Sequence, residues 1–110
     1  MKITVKHMER NEVSGDVEGF TPVAIVDASE FVNHGIEEAL SYAFRYTNNV
    51  MGSWSKKIGG DANDDVTVLT EREDGYGLRS TSVFDRMEVD GVEYQVAPLG
   101  FELVTMKEVQ

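Results

Sequence analysis

The pair Asp90-Gly91, set between the alternating runs "DRMEV" and "VEYQV", constrains the fold most. Two residues of this type between alternating runs specify a tight β-hairpin, because the turn needs positive φ, which Asp and Gly tolerate. A two-residue turn also fixes the register. Val89 faces Val92, Met87 faces Tyr94 and Asp85 faces Val96. The first two pairs are apolar and share one face of the ribbon. The other face sets Glu88 across from Glu93, an unfavourable like-charge pair that exposure to water and the nearby Arg86 soften.

The rest of the chain supplies partners for this hairpin. "KITVKHM" alternates Ile3, Val5 and His7 against Lys2, Thr4 and Lys6, the pattern of a half-buried strand. "RNEVSGDVEGF" reads as a loop or wide hairpin connection. A second strand is expected over Val23 to Asp27, with Pro22 at its first position. Ile36, Ala39, Leu40, Ala43, Phe44 and Val50 recur at helical spacing and predict one main helix over about 35–49. Ser29 or Asn33 is the expected N-cap, Glu37 and Glu38 suit the positive end of the dipole, and Asn48 or Asn49 can end the helix in a left-handed conformation. Tyr42 and Tyr46, four apart, should stack. A loop of about fifteen residues follows, "MGSWSKKIGGDANDD", a length often tied to function. "VTVLT", Val66 to Thr70, predicts a third strand. "EREDGYG" is a turn, and "STSVFDRMEV", "VEYQV" and "FELVTM" are strands. The expectation is a single α+β domain over 1–110: an antiparallel sheet or partly open barrel of about five or six strands with one helix across a face.

Composition narrows the functional classes. Twenty acids stand against ten bases, for a formal net charge of −10. Such a field repels nucleic acid and anionic membrane and favours a partner protein with a basic surface. The chain has no cysteine, which excludes disulfides and thiolate metal sites and suits a reducing compartment. No apolar run approaches the ~20 residues of a membrane span. "MKITVKHMER" lacks the apolar core and cleavage site of a signal peptide. A cytoplasmic location is expected.

Several stretches carry possible chemistry. "DANDD" places Asp61, Asn63 and Asp65 at the first, third and fifth positions of a calcium loop, but Val66 and Arg72 stand where glycine and a bidentate glutamate belong, so no metal is expected. Trp54 beside Lys56 and Lys57 is a weak nucleic-acid footprint in so acidic a chain; it serves as a core cap or as an interface anchor. His7 and His34 lack the paired carboxylates of a zinc site. No nucleophile elbow, P-loop or dinucleotide fingerprint is present. Neither catalytic residues nor a cofactor are expected. Candidate partner contacts are Trp54, Phe84, Glu88, Glu93, Asp61, Asp64 and Asp65. Arg79, Ser80, Ser82 and Tyr76 form an alternative ligand site, facing a pocket beside Trp54.

The blocks "ALSYAFRYTNNVMGSWSKK" and "LRSTSVFDRMEVDGVEYQVAPLGFELV" together resemble a group of small bacteriophage-encoded proteins of unassigned function. In that group a helix ending in "AF-R-x-TNN" is followed by a tryptophan, an acidic loop, "RSTSVGD", a short hairpin and "Y-x-V-A-x-x-GF". The resemblance covers roughly residues 39–104. Phe84 departs from it, standing where the pattern has glycine before Asp85. A glycine there would permit a tight turn or bulge. The resemblance implies a phage origin and a host-cell setting; it brings no activity.

The leading expectation is therefore a non-enzymatic accessory protein that binds and modulates or inhibits a host protein, with an acidic, DNA-imitating surface over 61–74 and 85–93 as a sharper variant. The alternatives are a small-ligand or nucleotide-sequestering protein and a virion structural or assembly component. Homodimerisation through an exposed edge strand is a further possibility. Where Phe84 lies decides which segment carries function. Exposed beside Glu88 and Glu93, it is the first partner contact; buried, it leaves that role to the loop around Trp54.

Overall fold

The computed structural model describes residues 1–104. Six strands form one antiparallel sheet and a two-stranded hairpin stands beside it. In chain order the strands are β1 (Lys2–Arg10), β2 (Val17–Asp27), β3 (Gly52–Ser53), β4 (Ile58–Gly59), β5 (Val66–Val68), β6 (Arg86–Val89), β7 (Val92–Val96) and β8 (Phe101–Leu103), with one helix, α1 (Ile36–Arg45). The main sheet runs β5-β2-β1-β6-β7-β8, and β3 pairs with β4. The sheet is open, with β5 and β8, three residues each, at its edges. Among the described residues no helix is long and apolar enough to cross a membrane.

The Asp90-Gly91 turn behaves as its residues demand. Both have positive φ, 51° and 81°, and β6 pairs with β7 in the expected register, Val89 with Val92, Met87 with Tyr94 and Glu88 with Glu93. In β1, Ile3, Val5 and His7 point inward and are buried. α1 lays Ala39, Leu40 and Ala43 over that face. Two alanines in three buried contacts let the helix axis come close to the sheet.

Several expectations are corrected. β2 begins at Val17, not Val23, so the connection from β1 is short. Asn11 closes it, its Oδ1 accepting from the N–H groups of Val13 and Ser14. Pro22 lies inside β2, at the shift of the β1–β2 register between Val5 and Lys6 and upstream of the residues that β5 covers. Pro22 still faces Lys6 of β1, and a bulge at a position that β5 leaves uncovered is where a strand tolerates a missing N–H. The helix is also shorter than 35–49. Its N-cap is Gly35, which has no side chain to make the bond, and neither expected residue takes that place: Ser29 starts a 3-10 turn, Ser29–Phe31, with its hydroxyl on Asp27, and Asn33 precedes the cap. Its last carbonyls are taken by side chains, Thr47 Oγ1 on Ala43 O and Asn48 Nδ2 on Phe44 O, so no left-handed residue is needed to end it.

The fifteen-residue loop contains the β3–β4 hairpin. A Cβ at Gly52 would lie 2.1 Å from Ile58 O, and one at Gly59 2.3 Å from Met51 O. Only glycine allows these strands to meet. Finally, residues 80–85 are not a strand. Asp85 N–H donates to Ser82 O, closing a turn, and Phe84 N–H donates to Val96 O while Val96 N–H donates to Asp85 O. Two residues, Phe84 and Asp85, thus oppose one, with Phe84 at φ 79°. That is a β-bulge whose first residue is left-handed, a place glycine fills without cost.

Candidate functional site

The two faces of the sheet hold the sequence-derived candidates in different states. On the inner face the helix end, the Trp54 segment and residues 78–85 interlock. Asn49 ties them together: its Oδ1 accepts from Trp54 N–H, its Nδ2 donates to Leu78 O and its backbone N–H donates to Ser80 Oγ. Trp54 is fully buried and its Nε1–H donates to Arg79 O at 2.9 Å. It is a core residue, not a partner anchor, because the 78–81 segment and His7 close over its ring.

His7, Thr81 and Thr47 form a buried chain. His7 Nε2 lies 2.8 Å from Thr81 Oγ1, Thr81 donates to Thr47 Oγ1 at 2.9 Å, and Thr47 donates to Ala43 O. A hydroxyl has one proton to give. Thr81 spends its proton on Thr47, so His7 must hold a proton on Nε2 and donate to Thr81. Burial, reinforced by the Arg79 guanidinium and opposed by Asp85, pushes His7 down to about 4 and keeps it neutral. The pair looks like a nucleophile and its base, but the base has no lone pair directed at the hydroxyl. Both residues are also closed to solvent.

Asp85 anchors the same region. Its carboxylate accepts two bonds from Arg79 and the backbone N–H groups of Met8 and Ser82. Burial opposes its charge, but these donors outweigh burial and hold its pKa below the usual carboxylate range. The alternative ligand site is thereby dispersed. Arg79 is spent on Asp85, Ser80 Oγ accepts from Asn49, and Ser82 serves the turn. Tyr76 stands apart, exposed at a cleft of about 310 Å³ with Lys56, Thr70 and Arg72.

Asp61 is likewise not a surface acid. It is buried and accepts from Arg45 and from the backbone N–H groups of Val50 and Met51. Burial opposes its ionisation, but those donors prevail and its pKa falls. Asp65 accepts from the Tyr42 hydroxyl, whose ring lies 5.1 Å from that of Tyr46. Only Asp64 of the three is open to solvent. Asp61 and Asp65 therefore brace the loop on α1 through Arg45 and Tyr42.

On the outer face, which α1 does not cover, Glu88 and Glu93 are bridged by Lys6, whose Nζ lies 3.2 Å and 2.9 Å from them. Burial disfavours the ammonium, yet hydrogen bonds to Glu93 and Glu88 outweigh it and raise its pKa. This lysine, not Arg86, resolves the like-charge pair. Arg86 lies instead over the Phe20 ring, its Cζ 4.2 Å from the centroid.

Comparison with protein-family models, with curated proteins and with solved structures finds no match to this chain. The geometry therefore stands alone. Phe84 is 51% exposed. It lies beside Met8, Arg10, Val17, Phe20, Arg86 and Gln95 on a groove of about 340 Å³, whose Arg86–Gln95 end is two positions along β6 and β7 from the Glu88–Glu93 pair. Of the groove residues, only Phe84 is legible in the sequence as a site. Phe20 was hidden in an apparent loop. Arg10 and Val17 fall in the same apparent loop, and Met8 and Arg86 are signalled only by their place in alternating runs.

Proposed function

We propose that this chain is a non-enzymatic accessory protein that binds a protein of a bacterial host and modulates or inhibits it, with Phe84 as the central contact. One observation carries this reading: a large aromatic is held in a left-handed conformation with half of its surface in water. A left-handed L-residue costs about 1–2 kcal/mol, and a half-exposed ring recovers only part of that through burial. Backbone strain at a solvent-facing aromatic is what a preset anchor has and what folding alone does not need. The resemblance to small phage proteins, which have glycine here, supports a host target.

The acidic-surface variant, with a basic partner groove, rests on fewer residues than the sequence suggests. Asp61, Asp85, Glu88 and Glu93 are internally compensated. Asp64, Glu71 and Glu73 are exposed and form no ion pair among the described residues. One experiment separates the two readings: affinity capture from bacterial lysate with the natural chain, with Phe84→Gly, and with Asp64→Asn/Glu71→Gln/Glu73→Gln. A protein lost only by Phe84→Gly supports the anchor. One lost only by the triple variant supports the acidic surface. No captured protein, or capture that both variants retain, overturns both.

A further inference from the structure

The chemistry of the partner can be read from how the arginines are placed. The chain has five. Arg45 holds Asp61, Arg72 holds Asp74 and Arg79 holds Asp85. The two that hold no carboxylate among the described residues, Arg10 and Arg86, both line the groove beside Phe84. In a chain with twice as many acids as bases, two unpaired guanidinium groups converging on one groove are unexpected from composition. Arg10 spends one donor on Gly15 O. Arg86 is held by stacking on Phe20, and its Nε–H is buried with no hydrogen-bond partner. A buried donor left without a partner is costly. A carboxylate that met the Arg86 fork after a side-chain rotation would relieve that cost.

The remaining walls are apolar or neutral. Met8, Val17, Phe20 and Phe84 come from β2, β1 and the bulge before β6, and Gln95 of β7 closes the groove. The groove thus runs across strands, offers apolar and aromatic contact along its length, and sets positive charge beside it.

We infer that this groove receives an acidic, apolar segment of the partner protein, in which a large apolar side chain lies against Phe84 and Phe20 and a neighbouring Asp or Glu meets Arg86 and Arg10. The inference rests on the reading of Phe84 as a partner contact. It inverts the expectation from net charge: the molecule as a whole favours basic surfaces, whereas this groove favours an acidic one.

The test uses the full chain labelled with nitrogen-15 and three peptides capped at both ends. One has a central Leu-Phe flanked by Asp and Glu. The second has Asn and Gln in place of the acids, and the third has Lys. The acidic peptide is expected to shift the amide signals of Met8, Phe20, Phe84, Arg86 and Gln95 and to bind at least about ten-fold tighter than the amide peptide. Arg10→Gln/Arg86→Gln should abolish that preference, and Phe84→Gly should weaken both peptides. Equal or tighter binding of the lysine peptide, shifts elsewhere, or no shift at all would overturn the inference. Tighter binding of free benzoate or adenosine monophosphate than of the acidic peptide would do so too, by making the groove a small-anion site. Phe84-dependent capture from lysate without acidic-peptide binding defeats this inference alone. Peptide binding without capture defeats the host-protein reading alone.

Discussion

The inner face of the sheet and the Phe84 end of its outer face treat their polar groups differently, although Lys6 partners Glu88 and Glu93 on the outer face as fully as any pair inside. Inside, every polar group named above has its partner: His7, Thr81 and Thr47 form one chain, Asp85 accepts four bonds, and Trp54 donates its single N–H. Outside, Arg86 keeps a donor idle and Phe84 keeps half its ring in water. A region that serves folding alone leaves few polar groups unpaired; on the proposed reading, the outer face leaves Arg86 and Phe84 to be completed by a partner. The contrast makes Arg79, Ser80 and Ser82, the alternative ligand site, part of the scaffold, and on that reading it moves the functional weight to the other face of the sheet.

The comparison is broken most severely from inside. Trp54→Ala removes the largest buried side chain and leaves Arg79 O without its donor. It is expected to cost about 3–5 kcal/mol in urea unfolding, a large share of what a domain of this size has. A loss below about 1 kcal/mol would show that Trp54 is not the keystone of the inner face.

The His7 prediction is next in size and depends on pH. Unfolded, His7 titrates at about 6.5; folded, burial lowers this to about 4. Between these values the unfolded chain binds the extra proton, so stability rises with pH. The contribution is complete above about pH 6.5 and is lost as pH falls through 4, to a total of about 3 kcal/mol. His7→Gln should flatten the profile between pH 6.5 and 4.5 and leave the carboxylate-driven loss at lower pH, where Asp85 is protonated. An unchanged slope in the variant would mean that His7 is not the titrating group.

How much of this was legible in the sequence follows from which signals are local. The β6–β7 register was legible because turn chemistry and alternation agree within a dozen residues. The first half of β2 was not, because Gly19, Pro22 and a register shift break the alternation that marks a strand. Residues 80–85 carry β-prone hydroxyl and branched side chains, so they imitate a strand; one left-handed residue turns them into a bulge. The site divides the same way. Phe84 was legible, since a side chain where a pattern has glycine must be accommodated somewhere. Trp54 and Asp61 were not separable into surface or core, because their burial depends on segments about 10 to 25 residues away. Net charge pointed to acidic contacts, but Lys6, Arg45 and Arg79 neutralise the acids that pattern alone makes prominent.

The smallest expected effect bears most directly on the outer face. At an ordinary β position, alanine is more stable than glycine by roughly 0.5–1 kcal/mol, because glycine loses more backbone freedom on folding. At Phe84 the order should reverse. Both Phe84→Ala and Phe84→Gly lose the ring's contacts with its groove neighbours, but alanine keeps the left-handed cost that glycine escapes. Phe84→Gly is therefore expected to exceed Phe84→Ala in stability by about 1 kcal/mol, and to equal or exceed the natural chain. Urea unfolding of the three proteins measures this directly. If glycine is the more stable and the weaker binder, the aromatic is held at a cost to the fold for the sake of a contact. If alanine is the more stable, the backbone at 84 is unstrained, the bulge needs no special residue, and the outer face loses its claim to be built for a partner.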